Sequence, residues 1–544
     1  TRLQGDWSSD VCSSDLGEKL GYALGDGAAN IAWRGVATFL FIFYTDVFGI
    51  SPAVVGILFL VARFGDGISD VIMGIIGDRT NSKYGKFRPW IFWSAIPLGI
   101  SLSLLFTVPE FNMTGKIIYA YTTYILFTLV YTANNIPYGA LMAVMTPDNR
   151  VRTVLGSYRM VGAFAGGMIV QGALLLLVAH FGNINPDITL RQLDKEKFEV
   201  TVSSPEDVEN VRIKTKDGIA AFSTHQTAEN SPEQESVNAL SFSMKADSVY
   251  AFIAQGEKGL NASKITLIDQ KKGYSYAMYV MSILLSILMF ITFASTRERV
   301  QPPKTQVSNL KHDFKDLIRN KPWLVLLFVG LLFNVYNSIK QGIVVIYFTH
   351  YINDQLLAGS YLVALMIASI AGALATAYLG RFFGKKKLFM AALILSSAIN
   401  ALFVFCGTED TFSIFIIGSL SEFASAIFPT LFFAMLGDVA DFSEFKNGRR
   451  ATGLIYSAGS FATKFGGGIA GAIVGLVLSA YHYNGQAGQS VQGAFPGIIM
   501  LMSWIPSLIG LLTAAILAFY PLSQKKTDAI SLELQNRRSS ESID

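Results

Sequence analysis

The sequence predicts an all-α membrane protein of twelve transmembrane helices, carrying a small β-rich insertion on its outer side. Three observations lead there. The 544-residue chain is 51% hydrophobic and only 15% charged, and apolar runs of the roughly 20 residues that span a bilayer as a helix recur along almost its whole length. Lys and Arg crowd every second connection between those runs, the asymmetry expected of cytoplasmic loops. A single segment of about ninety residues breaks the rhythm with mixed charge and two-residue alternation.

The first sixteen residues, "TRLQGDWSSDVCSSDL", are polar and lack an apolar core of signal-peptide type; they read as a non-native leader and are left out of the functional reasoning. Residues 17–182 hold helices one to five, on runs 24–48, 52–77, 90–109, 115–145 and 154–181. Residues 183–272 form the insertion, in which "KFEVTVSS", "VRIKTKDG" and "ASKITLID" alternate as half-buried strands do. Asn261-Ala262-Ser263 within it fits a glycosylation sequon, a short pattern that matters only in a eukaryotic secretory pathway. Helix six occupies 273–295, a basic cytoplasmic loop 296–322, helices seven to twelve 323–520, and a cytoplasmic tail 521–544. The last six spans sit on runs 323–352, 357–380, 388–407, 411–436, 452–481 and 494–520. An even number of spans puts both termini on the cytoplasmic side, and the basic loops agree.

Corresponding features recur six spans apart. "NRVRTVLGSYRMVGAFAGGMI" follows span four, "GRRATGLIYSAGSFATKFGGGI" follows span ten, and the basic "DRTNSKYGKFRP" has a shorter echo in "GRFFGKKKLF". Two six-helix halves are implied, with a ligand held between them near the midplane and alternating access as the mechanism. Gly166-Gly167 and Gly466-Gly467-Gly468 suit close helix packing rather than a phosphate-cradling loop.

Asp66 and Asp70 are four residues apart inside span two, so they share a helix face, and Arg63 lies three before Asp66 on nearly the same stripe. Ionisable groups at membrane depth are costly and face an interior cavity. Two carboxylates against one arginine leave a surplus negative charge for a bound cation or proton; the alternative is a salt-bridge cluster that only holds helices together. Enzymatic roles find no support: there is no His/Cys metal spacing, no nucleophile elbow and no nucleotide-binding loop, and the five histidines are scattered. Cys12 and Cys406 offer no disulfide framework. No nucleic-acid partner and no cofactor is indicated.

The stretches "FLVARFGDGISDVIMG" and "DRTNSKYGKFRPW", with "YTANNIPYGALM" and "GDVADFSEFKNGRRATGLIYS", closely resemble the glycoside–pentoside–hexuronide:cation symporter family of the major facilitator superfamily. The resemblance runs from about Lys19 to Lys526, interrupted by the insertion. It implies a monomeric importer in a bacterial inner membrane that couples sugar uptake to sodium or proton entry. Its melibiose-transporting members bind the cation at two carboxylates of helix two, which fall on Asp66 and Asp70. Those two would hold the metal if the ion is sodium. The family's neighbouring Asn is Ser69 here, and Thr132 near that site is retained. A basic residue of helix eleven near the cation falls on Lys464, and a sugar-contacting arginine of helix five on Arg159. Two aspartates that grip galactoside hydroxyls correspond to Asn30 and Asn135, whose amides bond hydroxyls without charge. In this the chain looks more like the glucuronide and xyloside branches. Trp33 and Tyr131 suit stacking on a sugar ring.

Arg34, four residues after Asn30, shares its face toward the expected sugar site. It suits either an intramembrane pair with Asp26 or the Asp66/Asp70 cluster, or two-point contact with the carboxylate of a uronic-acid sugar. Asp78, Arg79, Lys86 and Arg88, with Asp438, Asp441, Glu444 and Arg449, are expected to form cytoplasmic ion pairs between the halves, either a gate that breaks as the cavity opens inward or a static surface network that fixes topology. A rival function is a transporter-like sensor whose outer insertion binds carbohydrate.

Overall fold

The computed structural model describes residues 16–146, 149–184, 187–194, 197–204, 208–215, 221–224, 240–245, 249–255, 265–299, 319–447, 452–485 and 491–541. Arg449 lies outside them, and of Asp78 only the backbone is described. The chain is mostly helical. In order come α1 (Leu16–Ile42), α2 (Pro52–Arg79), α3 (Arg88–Leu105), α4 (Met113–Met145), α5 (Asn149–Phe181), α6 (Gln270–Ser295), α7 (Lys321–Ile346), α8 (Gln355–Phe383) and α9 (Lys385–Ala401). They continue with α10 (Thr411–Ser425), α11 (Ile427–Asn447), α12 (Thr452–Ala480), α13 (Phe495–Met502), α14 (Trp504–Ala518) and α15 (Gln524–Glu541).

Among the described residues, seven helical segments are long and apolar enough by length and composition to cross a membrane; α1 and α2, which carry Asp26, Arg34, Arg63, Asp66 and Asp70, are not among them. The apolar pattern that runs through the sequence is therefore diluted where polar groups face inward. A large buried cluster of Phe, Leu, Ile and Tyr side chains joins α1–α6 to the C-terminal parts of α7 and α12, and a second lies among α7, α9, α11 and α14.

Helix packing divides into two groups. In the first, α1 packs on α5 and α6, α3 on α4 and α6, and α2 on α4; in the second, α7 packs on α12 and α14, α9 on α10 and α14, and α8 on α10. Between the groups run α2 against α12, α5 against α8 and α1 against α7. Glycine permits these approaches. Gly166 sits on the Gly27 carbonyl and Gly466 on the Leu331 carbonyl, so the same device seats α5 on α1 and α12 on α7.

The repeat between the groups is clearer in space than in the basic loops. α1 and α7 each end in a five-residue π-helical turn, Phe43–Val47 and Tyr347–Tyr351, whose sequences "FYTDV" and "YFTHY" lie 304 positions apart. The same offset aligns Asn30 with Asn334, Trp33 with Asn337 and Arg34 with Ser338.

Between α5 and α6, the described residues form eight strands in two four-stranded antiparallel sheets, ordered β1-β8-β4-β6 and β2-β3-β7-β5. Their spans are β1 Asn183–Ile184, β2 Asp187–Asp194, β3 Lys197–Ser203, β4 Val208–Thr215, β5 Ala221–Thr224, β6 Leu240–Met244, β7 Val249–Gln255 and β8 Ile265–Asp269. Phe198, Val200 and Val202 of β3 are buried in alternation, as its sequence period requires. The segment leaves and re-enters the helices at one point: Asp269 N–H donates to Gly182 O at 2.7 Å, and Asn183 pairs with Ile268. Helix α6 starts at Gln270, three residues earlier than expected, because Asp269 caps it by accepting from Lys272 N–H.

Because its ends are joined, replacing residues 184–267 by a short Gly/Ser linker should leave the helical body intact, at a loop-closure cost below about 1 kcal/mol. Thermal unfolding of the detergent-solubilised protein should then shift by less than a few degrees; a loss of the cooperative transition would mean that the sheets help to hold the helices.

Candidate functional site

A cavity of about 430 Å³ lies where the two helix groups face each other. Its wall on α1 is Asn30, Trp33, Arg34, Ala37 and Phe41, spaced three to four residues apart along one helical stripe, and α7 presents Asn334, Asn337, Ser338 and Gln341 in the matching register. α4 adds Tyr124, Tyr131 and Asn135, α2 adds Phe59 and Arg63, and α12 adds Lys464 with Gly467 and Gly471. Gly468 beside Arg63 and Gly471 beside Phe59 bring the α12 backbone close enough for Lys464 to reach across to α2.

Amides, aromatic rings and three cations thus line the cavity. Trp33 and Tyr131 stand with ring centroids 5.4 Å apart, and the Arg63 guanidinium lies over Trp33 at 4.4 Å. One face of the indole is therefore taken by a cation–π contact. Asn30 donates to the Asp26 backbone carbonyl at 2.9 Å, which fixes its amide on the cavity side of α1.

Next to this wall lies a four-charge cluster. Arg63 donates to Asp66 at 2.7 Å and to the Tyr124 hydroxyl at 3.4 Å. Asp70 accepts from Thr132 at 3.1 Å and forms an ion pair with Lys464. Asp66 and Asp70 carry no surplus negative charge in this state, contrary to the sequence expectation, because Lys464 arrives from a helix almost four hundred residues away and balances Asp70. Ser69 does not face the carboxylates through its hydroxyl either; it donates to the Asp66 backbone carbonyl at 3.0 Å, satisfying itself within α2. Among the described residues no group of three or more His, Cys, Asp or Glu is placed to hold a metal. Asp66, Asp70 and Thr132 are the oxygen donors at this spot.

Arg159 departs from its expected place. It is not part of the cavity wall: it pairs with Asp26 at 3.2 Å and lies over the Tyr138 ring at 5.4 Å, tying α5 to α1. That leaves neither Asp26 nor the α2 cluster for Arg34. Arg34 donates to Gln341 at 3.4 Å and makes no ion pair with a carboxylate among the described residues.

The second helix group hides a further buried pair that the sequence reading missed. Lys340 and Glu422 meet at 3.4 Å; Lys340 also donates to Ser421 at 3.0 Å, and Glu422 accepts from Ser369 at 2.8 Å and Ser425 at 3.2 Å. "NSIKQG" and "SLSEFAS" each place one charge in an apolar run, the same signal as Asp66, and were legible for that reason. Of the expected gate residues, Asp438 pairs with Lys385 at 2.7 Å within its own helix group. The backbone N–H groups of Lys86 and Arg88 both donate to Glu298, and the Arg88 guanidinium donates to Phe293 O, all within the other group. Arg79 is exposed. These particular contacts lie within one group each, and Asp441 and Glu444 are engaged as well.

A family model described as MFS/sugar transport protein matches residues 21–204 and 240–524. The chain belongs to that family. It is a multi-pass membrane transporter and not an enzyme. Relatives extend over nearly the full length: "Putative glycoside/cation symporter YagG" of Escherichia coli (strain K12) is 29% identical over 525 residues, covering 96% of both chains. The isoprimeverose transporter of Lactiplantibacillus pentosus is 29% identical over 511 residues, covering 93% of this chain and 89% of its own. The glucuronide carrier protein homolog of Escherichia coli (strain K12) is 28% identical over 526 residues, covering 95% of each. Among solved structures, a D-xylose-proton symporter superposes with a TM-score of 0.56 at 11% identity, covering 94% of this chain and 98% of that one. Nucleoside transporter NupG gives 0.55 at 10% identity, covering 92% and 99%. Both share the fold.

If Lys464 and Asp70 balance each other, Lys464→Met and Asp70→Asn should each destabilise the protein by about 3 kcal/mol, since each strands a charge in the membrane interior. The double variant should lose less than the sum, with a coupling of about 1–3 kcal/mol in a thermal double-mutant cycle. Strict additivity would mean that the pair does not form.

Proposed function

We propose that this protein is a sugar:cation symporter whose preferred cargo is a uronic-acid glycoside, held in the cavity between two six-helix halves of a twelve-span bundle with both termini cytoplasmic. The observation that carries the cargo assignment is Arg34. Around the cavity four carboxylates pair with four cations, Asp26 with Arg159, Asp66 with Arg63, Asp70 with Lys464 and Glu422 with Lys340. Arg34 is a further cation: among the described residues it hydrogen-bonds the Gln341 amide and makes no ion pair with a carboxylate, Glu422 acting on it only from beyond contact. A desolvated guanidinium without an anion is costly, and its fork suits a carboxylate in two-point contact. Asn30, Asn135, Asn334 and Asn337 in the same wall offer donors and acceptors for hydroxyls without repelling that anion.

Coupling follows from Asp70. Lys464 occupies it as an internal ammonium, and a sodium ion or proton arriving at Asp70 and Thr132 takes over that neutralising role. Lys464 is then released from α2, which removes one link between the helix groups while the cargo rebuilds others across the cavity. Ion and sugar together permit a rearrangement that neither drives alone, which is the thermodynamic meaning of symport. The glycoside/cation assignment of one relative and the glucuronide carrier name of another support this reading.

Arg34→Gln tests the cargo. It should raise the half-saturating concentration for a glucuronide about 10–100-fold, the value of a charge-assisted contact of about 1.5–3 kcal/mol, and that of the matched neutral glucoside less than threefold. Equal losses on both sugars in vesicle uptake, or a wild-type protein that prefers the neutral one, would refute it.

A further inference from the structure

We propose that Asp46, His350 and Tyr483 form the outer gate of the transport cycle, the contact that must break before sugar enters from outside. The proposal rests on the alternating-access reading above. His350 Nε2 and Asp46 Oδ2 lie 2.6 Å apart; the Tyr483 and Thr45 hydroxyls both donate to Asp46 Oδ1 at 2.7 Å. The His350 ring meets the Tyr483 ring edge-on at 5.6 Å.

Their placement is what a gate requires. Asp46 ends α1 and His350 ends α7, so the bond joins the two helix groups, and Tyr483 follows α12. Asp46 and His350 sit at corresponding positions of the repeat, each in its π-helical turn, closed by Phe48 N–H to Phe43 O at 2.9 Å and Ile352 N–H to Tyr347 O at 3.0 Å. A π turn admits one extra residue per turn and so re-aims the side chains that follow it. Gly485 passes directly against the Asp46 carboxylate, where a side chain would collide. Both side chains of the pair are 12% exposed. Further contacts between the groups include Gly475 on the Pro52 carbonyl, Gly56 on Gly471, and Gly172 on Val363. At the opposite end, the Lys385–Asp438 and Arg299–Glu18 pairs stay inside one group each. The Asp46–His350 pair thus fastens the halves at the end away from the basic loops.

The sequence offered this pair little visibility. His350 is one of five scattered histidines, and Asp46 stands at the end of an apolar run where a charge is ordinary; only the 304-residue register brings them together.

The test uses the full chain in right-side-out vesicles, with Cys12 and Cys406 changed to serine and Ala37→Cys in the cavity wall as reporter. His350→Ala should raise labelling of residue 37 by an external, membrane-impermeant maleimide about tenfold, and Tyr483→Phe, which removes one donor, about threefold. Net uptake should slow in both, while sugar affinity of the detergent-solubilised protein stays within about twofold. Unchanged labelling in both variants, with wild-type uptake intact, would overturn the gate and leave the transporter reading standing. Absence of uptake in the parent protein would instead refute the transporter reading.

Discussion

A charge inside a membrane protein has to be balanced inside it, and this constraint organises the molecule. Water is not there to do it, and lipid cannot. Four carboxylates near the cavity have therefore each drawn a cation from another turn or another helix: Arg63 from the same helix as Asp66, Arg159 across to Asp26, Lys464 across to Asp70, Lys340 across to Glu422. Two of these pairs, Arg159–Asp26 and Lys340–Glu422, each join two helices of one group. The Lys464–Asp70 pair differs because it crosses between the two helix groups, so its making and breaking changes their relation rather than the shape of either.

Packing serves the same end. Glycines on α5 and α12 let these helices lie directly on the backbones of α1 and α7, which aims the cavity-facing stripes of α1 and α7 at each other. Asn30, Trp33 and Arg34 on one side meet Asn334, Asn337 and Ser338 on the other, at equal offsets. The internal repeat thus supplies a pair of similar walls, and differences at single positions, Arg34 against Ser338 above all, make the cavity asymmetric in charge.

Much of this was readable from one-dimensional pattern. Asp66 and Asp70 declare themselves by being charged within an apolar run, and Asn30, Trp33, Arg34, Tyr131, Asn135 and Lys464, singled out from spacing or resemblance, all line the cavity. Pairing was not readable. Arg159 looks equally suited to a sugar or to Asp26, and only the α1–α5 packing decides for Asp26. The surplus charge assigned to α2 vanished because Lys464 is close in space and remote in sequence. The basic and acidic residues of the loops suggested a gate by charge alone, whereas Asp438 and Glu298 have partners within their own helix groups. Exposed charges find partners wherever the chain puts them, so composition says little about which elements they join.

The claim on which the account turns is that Asp70 is shared in alternation by Lys464 and the coupling ion. Equilibrium binding of a glucuronide to the purified protein, titrated against sodium at fixed pH and against pH without sodium, tests it most directly. The account predicts that one of the two ions strengthens binding several-fold in the wild type. It also predicts that Asp70→Asn removes this dependence while sugar binding itself persists. An Asp70→Asn protein whose sugar affinity still rises with the same ion, to the same degree, would contradict it.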